Sequence, residues 1–133
     1  MTFDPMDQGI DAEEAHDRVA DTIADHEVVL FMKGDARMPQ CGYSKRAFGL
    51  ISQYRSDVAT VDTLKNLEAF REALEAESGW ETIPQTFVDG EFVGGSDILA
   101  ELEERGDLAE TLNADGPVAN GDAESAEGPD APF

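Results

Sequence analysis

Apolar positions near the start of the chain recur first with a helical period and then as an unbroken run. The segment DAEEAHDRVADTIADH begins with Asp11, which lies three residues before Glu14 in the pattern of a capping box. The apolar residues behind it have the spacing of one helix face: Ala15, Val19 and Ile23. The run EVVLFMKG that follows has the β-branched and aromatic content of a buried strand. We therefore expect a helix followed by a central strand.

The middle of the chain repeats this alternation. After the loop DARMPQ, the segment CGYSKRAFGLISQY predicts a second helix with Ala47 and Ile51 on its apolar face. DVATVD predicts a short strand, and NLEAFREALEAESG predicts a third helix capped by Asn66. In TFVDGEFVGG two apolar runs meet at Asp89-Gly90, which is a strong hairpin signal. A last helix is expected from Ser96 or Asp97, with four residues inward: Ile98, Leu99, Leu102 and Leu108.

This order of elements predicts an α/β fold with a central four-stranded mixed sheet flanked by helices. Alternating helices and strands in the first half favour parallel pairing through right-handed crossovers, and the hairpin adds two antiparallel strands. Residues 1–10 are expected to be flexible, and residues 11–112 form the single domain. Residues 113–133 are rich in Gly, Pro, Ala and acids and predict a disordered acidic tail.

Charge excludes several classes of partner. The chain of 133 residues has 30 acidic and 9 basic residues and a formal charge of −21, which argues against binding nucleic acid or an anionic membrane. Acids spread along the whole chain indicate a halophilic protein from a salt-rich cytoplasm, where ions screen the repulsion. A mildly disordered acidic protein is the alternative, but the patterned middle argues against it.

The protein is expected to be cytoplasmic. No apolar stretch has the length of a membrane span, and the first residues have neither a basic start nor an apolar core of a signal peptide. A single cysteine, Cys41, cannot form an internal disulfide, so nothing indicates an oxidising compartment.

Cys41 is the main candidate for chemistry. Pro39 forces the second helix to begin after it, which places Cys41 in the first turn, where free N–H groups and the helix dipole favour an anion. Lys33 ends the preceding strand on the same side, and both effects lower a thiol pKa. Gly42 lets another group approach the sulfur. The alternative is a buried structural cysteine. His16 and His26 lie far from Cys41 in this prediction, which disfavours a Cys/His metal or protease site.

Two motifs in the right order resemble those of monothiol glutaredoxins. KGDARMPQCGYS is similar to the family's K-G-x-x-x-x-P-x-C-G-F-S pattern, with Tyr43 in place of phenylalanine. WETIPQTFVDGEFVGGSDIL looks like its W-P-T-I-P-Q, G-G and S/C-D-I/L run. The resemblance covers roughly residues 12–112 and implies a thioredoxin-like glutaredoxin fold, with residues 11–112 as the glutaredoxin domain.

The resemblance also implies roles for individual residues. Ile83-Pro84 is expected to be a cis-proline turn against the active-site sulfur. Lys33 and Arg71 match residues that hold a carboxylate of glutathione. The γ-glutamyl end is expected at the entry to the last helix, where Gly95 and Ser96 offer N–H groups to its carboxylate and Asp97 binds its amine. The alternative is that this segment binds no ligand and is a plain turn, with Ser96 or Asp97 as the N-cap of the last helix. Trp80 is expected to pack before the cis-proline turn.

The resemblance favours a protein that carries an iron–sulfur cluster over an enzyme that catalyses thiol–disulfide exchange. A [2Fe–2S] cluster takes four thiolates; two chains would give two through Cys41, and two bound small thiols would give the rest. The implied partners are a small γ-glutamyl thiol, iron–sulfur acceptor or assembly proteins, and a second copy only when the cluster is bound. The alternative is thiol–disulfide exchange by Cys41. Three residues depart from the family pattern: Tyr43, Glu81 and Ser96. At the position of Ser96, many relatives have a second cysteine. The halophilic composition favours γ-glutamylcysteine over glutathione.

Overall fold

A four-stranded mixed sheet lies at the centre of the computed structural model, which describes residues 10–118. The helices are α1 (Ala12–Asp25), α2 (Gly42–Ser52), α3 (Leu67–Ser78), α4 (Ser96–Arg105) and α5 (Leu108–Thr111). The strands are β1 (Val28–Met32), β2 (Ala59–Asp62), β3 (Gln85–Val88) and β4 (Glu91–Gly94). A short 3-10 turn at Thr63–Lys65 follows β2. The fold class expected from the sequence is confirmed.

The strands lie in the order β2-β1-β3-β4. β1 pairs in parallel with β2, whereas β3 is antiparallel to both β1 and β4. The turn between β3 and β4 is formed by Asp89 and Gly90, with φ of 52° and 82°. Positive φ at both positions is the requirement of a type I′ turn, which explains why Asp-Gly predicted the hairpin correctly.

Side chains of β1 alternate between two apolar cores. Val29 and Phe31 face the core that α1 and α3 cover, whereas Leu30 and Met32 face the core under α2, α4 and α5. All five residues of β1 are buried, as the unbroken apolar run predicts for a central strand. The predicted inner face of α1 is buried as well: Ala15, Val19 and Ile23.

The end of the helical region differs from the expectation. A single last helix was expected to bury Ile98 and Leu108 together, but Gly106 ends α4 with φ of 79° and Leu108 is buried from the separate helix α5. Ile98 is 42% exposed. It lies in the first turn of α4, where its side chain packs against the backbone of Gly94 at the end of β4 and leaves the rest to solvent.

The predicted flexible and disordered ends fall mostly outside the described residues, which exclude 1–9 and 119–133. The described part of the predicted tail still contacts the domain, since the Val118 N–H donates to the Gln53 carbonyl over 2.7 Å. Within residues 10–118, no helix is both long and apolar enough to cross a membrane.

One arginine joins the end of α5 to the sheet. The guanidinium of Arg55 bonds Glu27 at 2.8 Å, Asp57 at 2.8 and 2.9 Å, and the Leu112 carbonyl at 2.8 Å. The side chain is only 12% exposed, and the hydrogen bonds that its guanidinium donates to Asp57 and Glu27 raise the pKa of Arg55 above its ordinary range. Because three separate segments meet at this group, it closes the end of the fold opposite Cys41.

We expect Arg55→Ala to lower the free energy of unfolding by about 1–2 kcal/mol, because it removes the charged donor of the Leu112 carbonyl, while the two exposed carboxylates regain water. Arg105→Ala is the matched control, since Arg105 is half-exposed and its carboxylates lie 3.5 Å away. Its loss is expected to change stability by less than about 0.5 kcal/mol. Urea unfolding followed by circular dichroism measures both. Equal effects of the two substitutions would contradict the assignment.

Candidate thiol site

The segments expected to carry the chemistry meet at one edge of the sheet. Register places Phe31 of β1 opposite Gln85 at the start of β3, and Thr86 opposite Gly94 at the end of β4. Lys33 follows β1 and Pro84 precedes β3, so both lie at this edge. The helices α2, α3 and α4 follow β1, β2 and β4, and their N-termini therefore lie there too.

The loop before Cys41 is held by backbone geometry that requires glycine. Gly34 has φ of 86°, and a Cβ there would lie 2.5 Å from the Met38 carbonyl oxygen. The Asp35 carboxylate accepts from the N–H groups of Arg37 and Met38 at 3.0 and 2.8 Å. The Gln40 N–H donates to the Lys33 carbonyl over 2.9 Å. This network fixes the entry of the chain into α2.

Two residues at the end of the neighbouring strand support this loop: Asp62, the last residue of β2, and Thr63, which follows it. The Asp62 carboxylate accepts from the Gly34 N–H at 3.0 Å, and the Thr63 hydroxyl donates to the Met32 carbonyl at 2.9 Å. The sequence analysis gave neither residue a role. The sequence signal that could have indicated this support was Asp62, an acid at the end of a strand that was predicted to pair in parallel with β1.

The sequence analysis expected Cys41 in the first turn of α2. The structure has it one residue earlier, as the N-cap of the helix. Its backbone is extended, with φ of −151° and ψ of 136°, and its side chain makes no capping hydrogen bond to the helix backbone. In contrast, Asp11 caps α1 and Asn66 caps α3 through their side-chain oxygens. The side chain at the start of α2 is therefore a half-buried thiol where the other two helices have an oxygen acceptor.

The surroundings of Cys41 favour the thiolate. Burial raises the pKa of the thiol. The backbone N–H groups of Ser44 and Tyr43 lower this pKa, because they lie close enough to act on the sulfur although neither has the geometry of a capping bond. The Ser44 hydroxyl and the charge of Lys33 lower it further, by more in all than burial raises it. The net pKa lies below its ordinary value. Ser44 is fully buried and also accepts the Lys33 N–H at 3.0 Å, so it links the helix start to the end of β1. Ser44 lay inside the quoted motif without an assigned role.

Space in front of the sulfur is open. A Cβ added at Gly42 would meet nothing within 4 Å, so the glycine is not required by packing within the described residues. Tyr43 is 61% exposed in the first turn of α2. A ligand can therefore approach Cys41 over Gly42 without displacing a side chain.

The predicted cis-proline turn and the start of α4 lie against each other. The Ile83-Pro84 peptide bond is cis, as the resemblance implied. A Cβ at Gly95 would lie 3.0 Å from the Pro84 carbonyl oxygen, so a larger residue would crowd the turn. Gly95 is the N-cap of α4 and supplies no side-chain acceptor, which corrects the alternative of Ser96 or Asp97 as the cap. Ser96 is buried and Asp97 exposed in the first turn, so free N–H groups face this edge.

Arg71 lies in the second turn of α3 and shares an open depression with several glutamates. The depression has a volume of about 540 Å³, and Glu68, Glu75 and Glu81 are among its lining residues. Arg71 thus lies near the start of α3, in acidic surroundings.

Trp80 differs from the expectation that it packs inside. Its side chain is 60% exposed, although its backbone is held by Ser78 and the buried Gln85. The Gln85 side-chain amide donates to the Trp80 carbonyl at 2.7 Å and accepts from the Ser78 hydroxyl at 2.9 Å. The loop is therefore fixed while the indole faces solvent.

Both histidines are exposed, as expected for surface residues. Within residues 10–118, no group of three or more His, Cys, Asp or Glu side chains is arranged to hold a metal ion.

Comparison with known proteins supports what the fold and the thiol indicate. A family model for glutaredoxins matches residues 28–93. A monothiol glutaredoxin of Porphyra purpurea is 45% identical over 101 residues, which cover 73% of this chain and 94% of that protein. This chain belongs to the monothiol glutaredoxin family.

Solved glutaredoxins share the architecture. Poplar apo GrxS14 in its reduced form has a TM-score of 0.64 at 37% identity, over 73% of this chain and 88% of that chain. A buckwheat glutaredoxin in complex with glutathione has a TM-score of 0.63 at 24% identity, over 77% of this chain and 90% of that chain. The thioredoxin-like glutaredoxin fold expected from the sequence is confirmed.

We expect Ser44→Ala to raise the pKa of Cys41 toward its ordinary value, because it removes one donor to the thiolate. At neutral pH less thiolate is then present, and alkylation by iodoacetamide slows several-fold. Ser52→Ala is the control, since Ser52 lies on the same helix but donates to the Phe48 carbonyl. The pH profile of the alkylation rate gives both midpoints. An unchanged midpoint in Ser44→Ala would show that the backbone N–H groups act alone.

Proposed function

We propose that this glutaredoxin binds a [2Fe–2S] cluster as cargo between two copies of the chain and transfers it to acceptor proteins. The observation that carries the proposal is a single cysteine whose surroundings favour the thiolate, at the start of α2 beside the open surface at Gly42. One chain offers one thiolate, whereas the cluster takes four. Two chains and two small thiols complete this set without any further residue.

The edge that carries Cys41 has features suited to a small γ-glutamyl thiol. The uncapped N-terminus of α4 at Gly95 and Ser96 offers N–H groups to a carboxylate, and the Asp97 carboxylate in the first turn of α4 accepts from an amine in this proposal. Lys33 is close enough to Cys41 to lower its pKa and can pair with a second carboxylate. The buckwheat relative solved with glutathione supports the same class of ligand. Glutathione and γ-glutamylcysteine share the groups that these residues bind.

Arg71 contributes from a greater distance in this proposal. Its acidic surroundings weaken a pure charge interaction, so it binds the far carboxylate of the thiol less strongly than Lys33 does. Ile83, Pro84, Gly42 and Tyr43 bound the space in which the thiol lies. The Tyr43 hydroxyl adds a polar group beside the cluster.

Thiol–disulfide exchange is the second candidate, and the lowered pKa of Cys41 favours it specifically. The Cys41 thiolate attacks a mixed disulfide, one half stays bonded to Cys41, and the other half leaves as a thiolate. A second small thiol then attacks this new disulfide and restores Cys41. Within the chain no second cysteine can resolve it, since Ser96 stands where many relatives have one.

We place the protein in the cytoplasm, as a monomer without cluster and a homodimer with it. A labile cluster and a reactive thiolate both suit a reducing compartment. Its partners are the small thiol and iron–sulfur acceptor or assembly proteins, with a role in cluster assembly and redox homeostasis.

Reconstitution with iron, sulfide and a γ-glutamyl thiol is expected to give a coloured dimer, because only then are all the ligands present. Cys41→Ser is expected to lose bound iron entirely. Lys33→Ala and Asp97→Ala each remove a charge-assisted contact of roughly 1.5–3 kcal/mol, so about tenfold or more thiol is needed for assembly. Size-exclusion chromatography with visible absorbance measures the dimer.

Glu13→Ala is the matched control for Asp97→Ala, since Glu13 lies in the first turn of α1, away from the thiol edge. It is expected to assemble as the unchanged protein does. A coloured dimer that forms without any γ-glutamyl thiol would contradict the ligand set. A colourless protein that rapidly reduces mixed disulfides would favour the second candidate.

A further inference from the structure

Lys33 lies just beyond the point where β1 stops pairing with β2. The last pair of that parallel ladder is Met32 with Asp62. Backbone groups that are shielded from water need hydrogen-bond partners, so from here on the partners of β1 must come from other groups. Those groups determine where the Lys33 side chain starts.

The peptide group before Lys33 is held from two sides. The Met32 carbonyl accepts from the Thr63 hydroxyl at 2.9 Å, and the Lys33 N–H donates to the Ser44 hydroxyl at 3.0 Å. Both hydroxyl residues are fully buried. Because water does not compete for these two bonds, this peptide group is fixed.

The peptide group after Lys33 depends on Asp62. Its carbonyl accepts from the Gln40 N–H at 2.9 Å, and its N–H, which belongs to Gly34, donates to the Asp62 carboxylate at 3.0 Å. Gly34 has φ of 86°, and a glycine has more alternative conformations than any other residue. Without Asp62 this peptide group would keep only its bond to Gln40, a residue of the exposed loop. Asp62 is therefore the contact that joins it to the sheet.

A single oxygen of Asp62 makes this contact. Its Oδ1 accepts from the Gly34 N–H at 3.0 Å and also from the Leu64 N–H at 2.9 Å, in the 3-10 turn after β2. The carbonyl oxygen of an amide side chain has the lone pairs to accept both bonds in the same way. The position therefore requires an oxygen acceptor at this distance from the backbone, rather than a negative charge.

We propose that Asp62 is a positioning residue, which holds the peptide group after Lys33 so that the Lys33 ammonium lies where a carboxylate can bind beside Cys41. The charge of Lys33 lowers the pKa of Cys41, so the ammonium and the sulfur belong to one site. A lysine side chain is a flexible stem, and a fixed Cα limits the positions that its ammonium can reach. Such preorganisation reduces the entropy lost when a carboxylate binds. This role rests on the proposed function only in that Lys33 binds a carboxylate of the thiol.

Two small alkylating reagents test this role without a cluster. Iodoacetate has a carboxylate where iodoacetamide has a neutral amide. With either reagent the Cys41 thiolate attacks the carbon that carries iodine, a sulfur–carbon bond forms, and iodide leaves with the electron pair of the broken bond. Cys41 is the only cysteine of the chain. The ratio of the two rate constants, iodoacetate over iodoacetamide, therefore cancels the reactivity of the thiol and measures attraction of the carboxylate.

Three substitutions at Asp62 separate the acceptor from the charge. Asp62→Asn removes the charge and keeps the oxygen, Asp62→Glu keeps the charge and moves the oxygen by one methylene, and Asp62→Ala removes both. In dilute buffer we expect Asp62→Asn to keep the ratio and the other two to lower it about threefold, as Lys33→Ala does. A role of charge alone predicts a higher ratio in Asp62→Asn and Asp62→Ala and no change in Asp62→Glu, because loss of a carboxylate favours an anionic reagent.

A double variant tests whether Asp62 acts through Lys33. In the Lys33→Ala protein, adding Asp62→Glu is expected to change the ratio no further. Asp57→Ala is the matched control, since Asp57 precedes β2 at its other end and accepts from Arg55 at 2.8 and 2.9 Å. It removes the same charge and is expected to keep the ratio. Thermal melting of each variant measures any loss of stability separately.

Three results would overturn the role of Asp62. An unchanged ratio in Asp62→Glu, beside a lowered one in Lys33→Ala, would show that Asp62 only stabilises its turn. A further fall in the double variant would show that it acts by another route. The comparison of Asp62→Asn with Asp62→Glu decides the outcome even where Asp62→Ala does not fold. An unchanged ratio in Lys33→Ala would contradict carboxylate binding by Lys33 as well, whereas cluster binding is tested separately by the reconstitution.

Discussion

The candidate site of this protein depends on three helices whose N-termini meet at one edge of the sheet. Parallel pairing of β1 with β2 and antiparallel pairing of β3 with both neighbours bring the ends of β1, β2 and β4 to that edge. Each of these strands leads into a helix, and each helix begins with a partial positive charge. Asn66 caps α3 with its own side chain, whereas α2 and α4 begin at Cys41 and Gly95 without a side-chain cap. These two helices can therefore stabilise an anion, a thiolate at one and a ligand carboxylate at the other.

The support of this edge comes from residues that do no chemistry. Gly34 allows the sharp turn after β1, Asp62 accepts its N–H, and buried Ser44 joins Lys33 to the start of α2. At the other end of the sheet, away from the thiol, Arg55 joins the end of α5 to the residue before β1. A rigid edge lets a half-buried cysteine remain reactive, because its donors are positioned before any ligand arrives.

Local patterns predicted most of the fold but only part of the site. The helical spacing of Ala15, Val19 and Ile23 and the turn Asp89-Gly90 depend on neighbouring residues, so the sequence predicted them correctly. Pro39 likewise placed Cys41 at a helix start, within one residue of its observed position. The contacts of Asp62 with Gly34 and of Arg55 with Leu112 depend on register and on the path of distant segments, which periodicity does not contain. Trp80 is exposed because Gln85 and Ser78 hold the backbone of its loop, which composition could not indicate.

The central claim is that two chains, each with one thiolate, bind a cluster with the help of two small thiols. Native mass spectrometry of the protein purified without oxygen tests this most directly, because it weighs the intact assembly. The account predicts a species of two chains, one [2Fe–2S] cluster and two γ-glutamyl thiols, which dissociates to single chains when oxygen destroys the cluster. An iron-free single chain bonded to one thiol as the main species would contradict it.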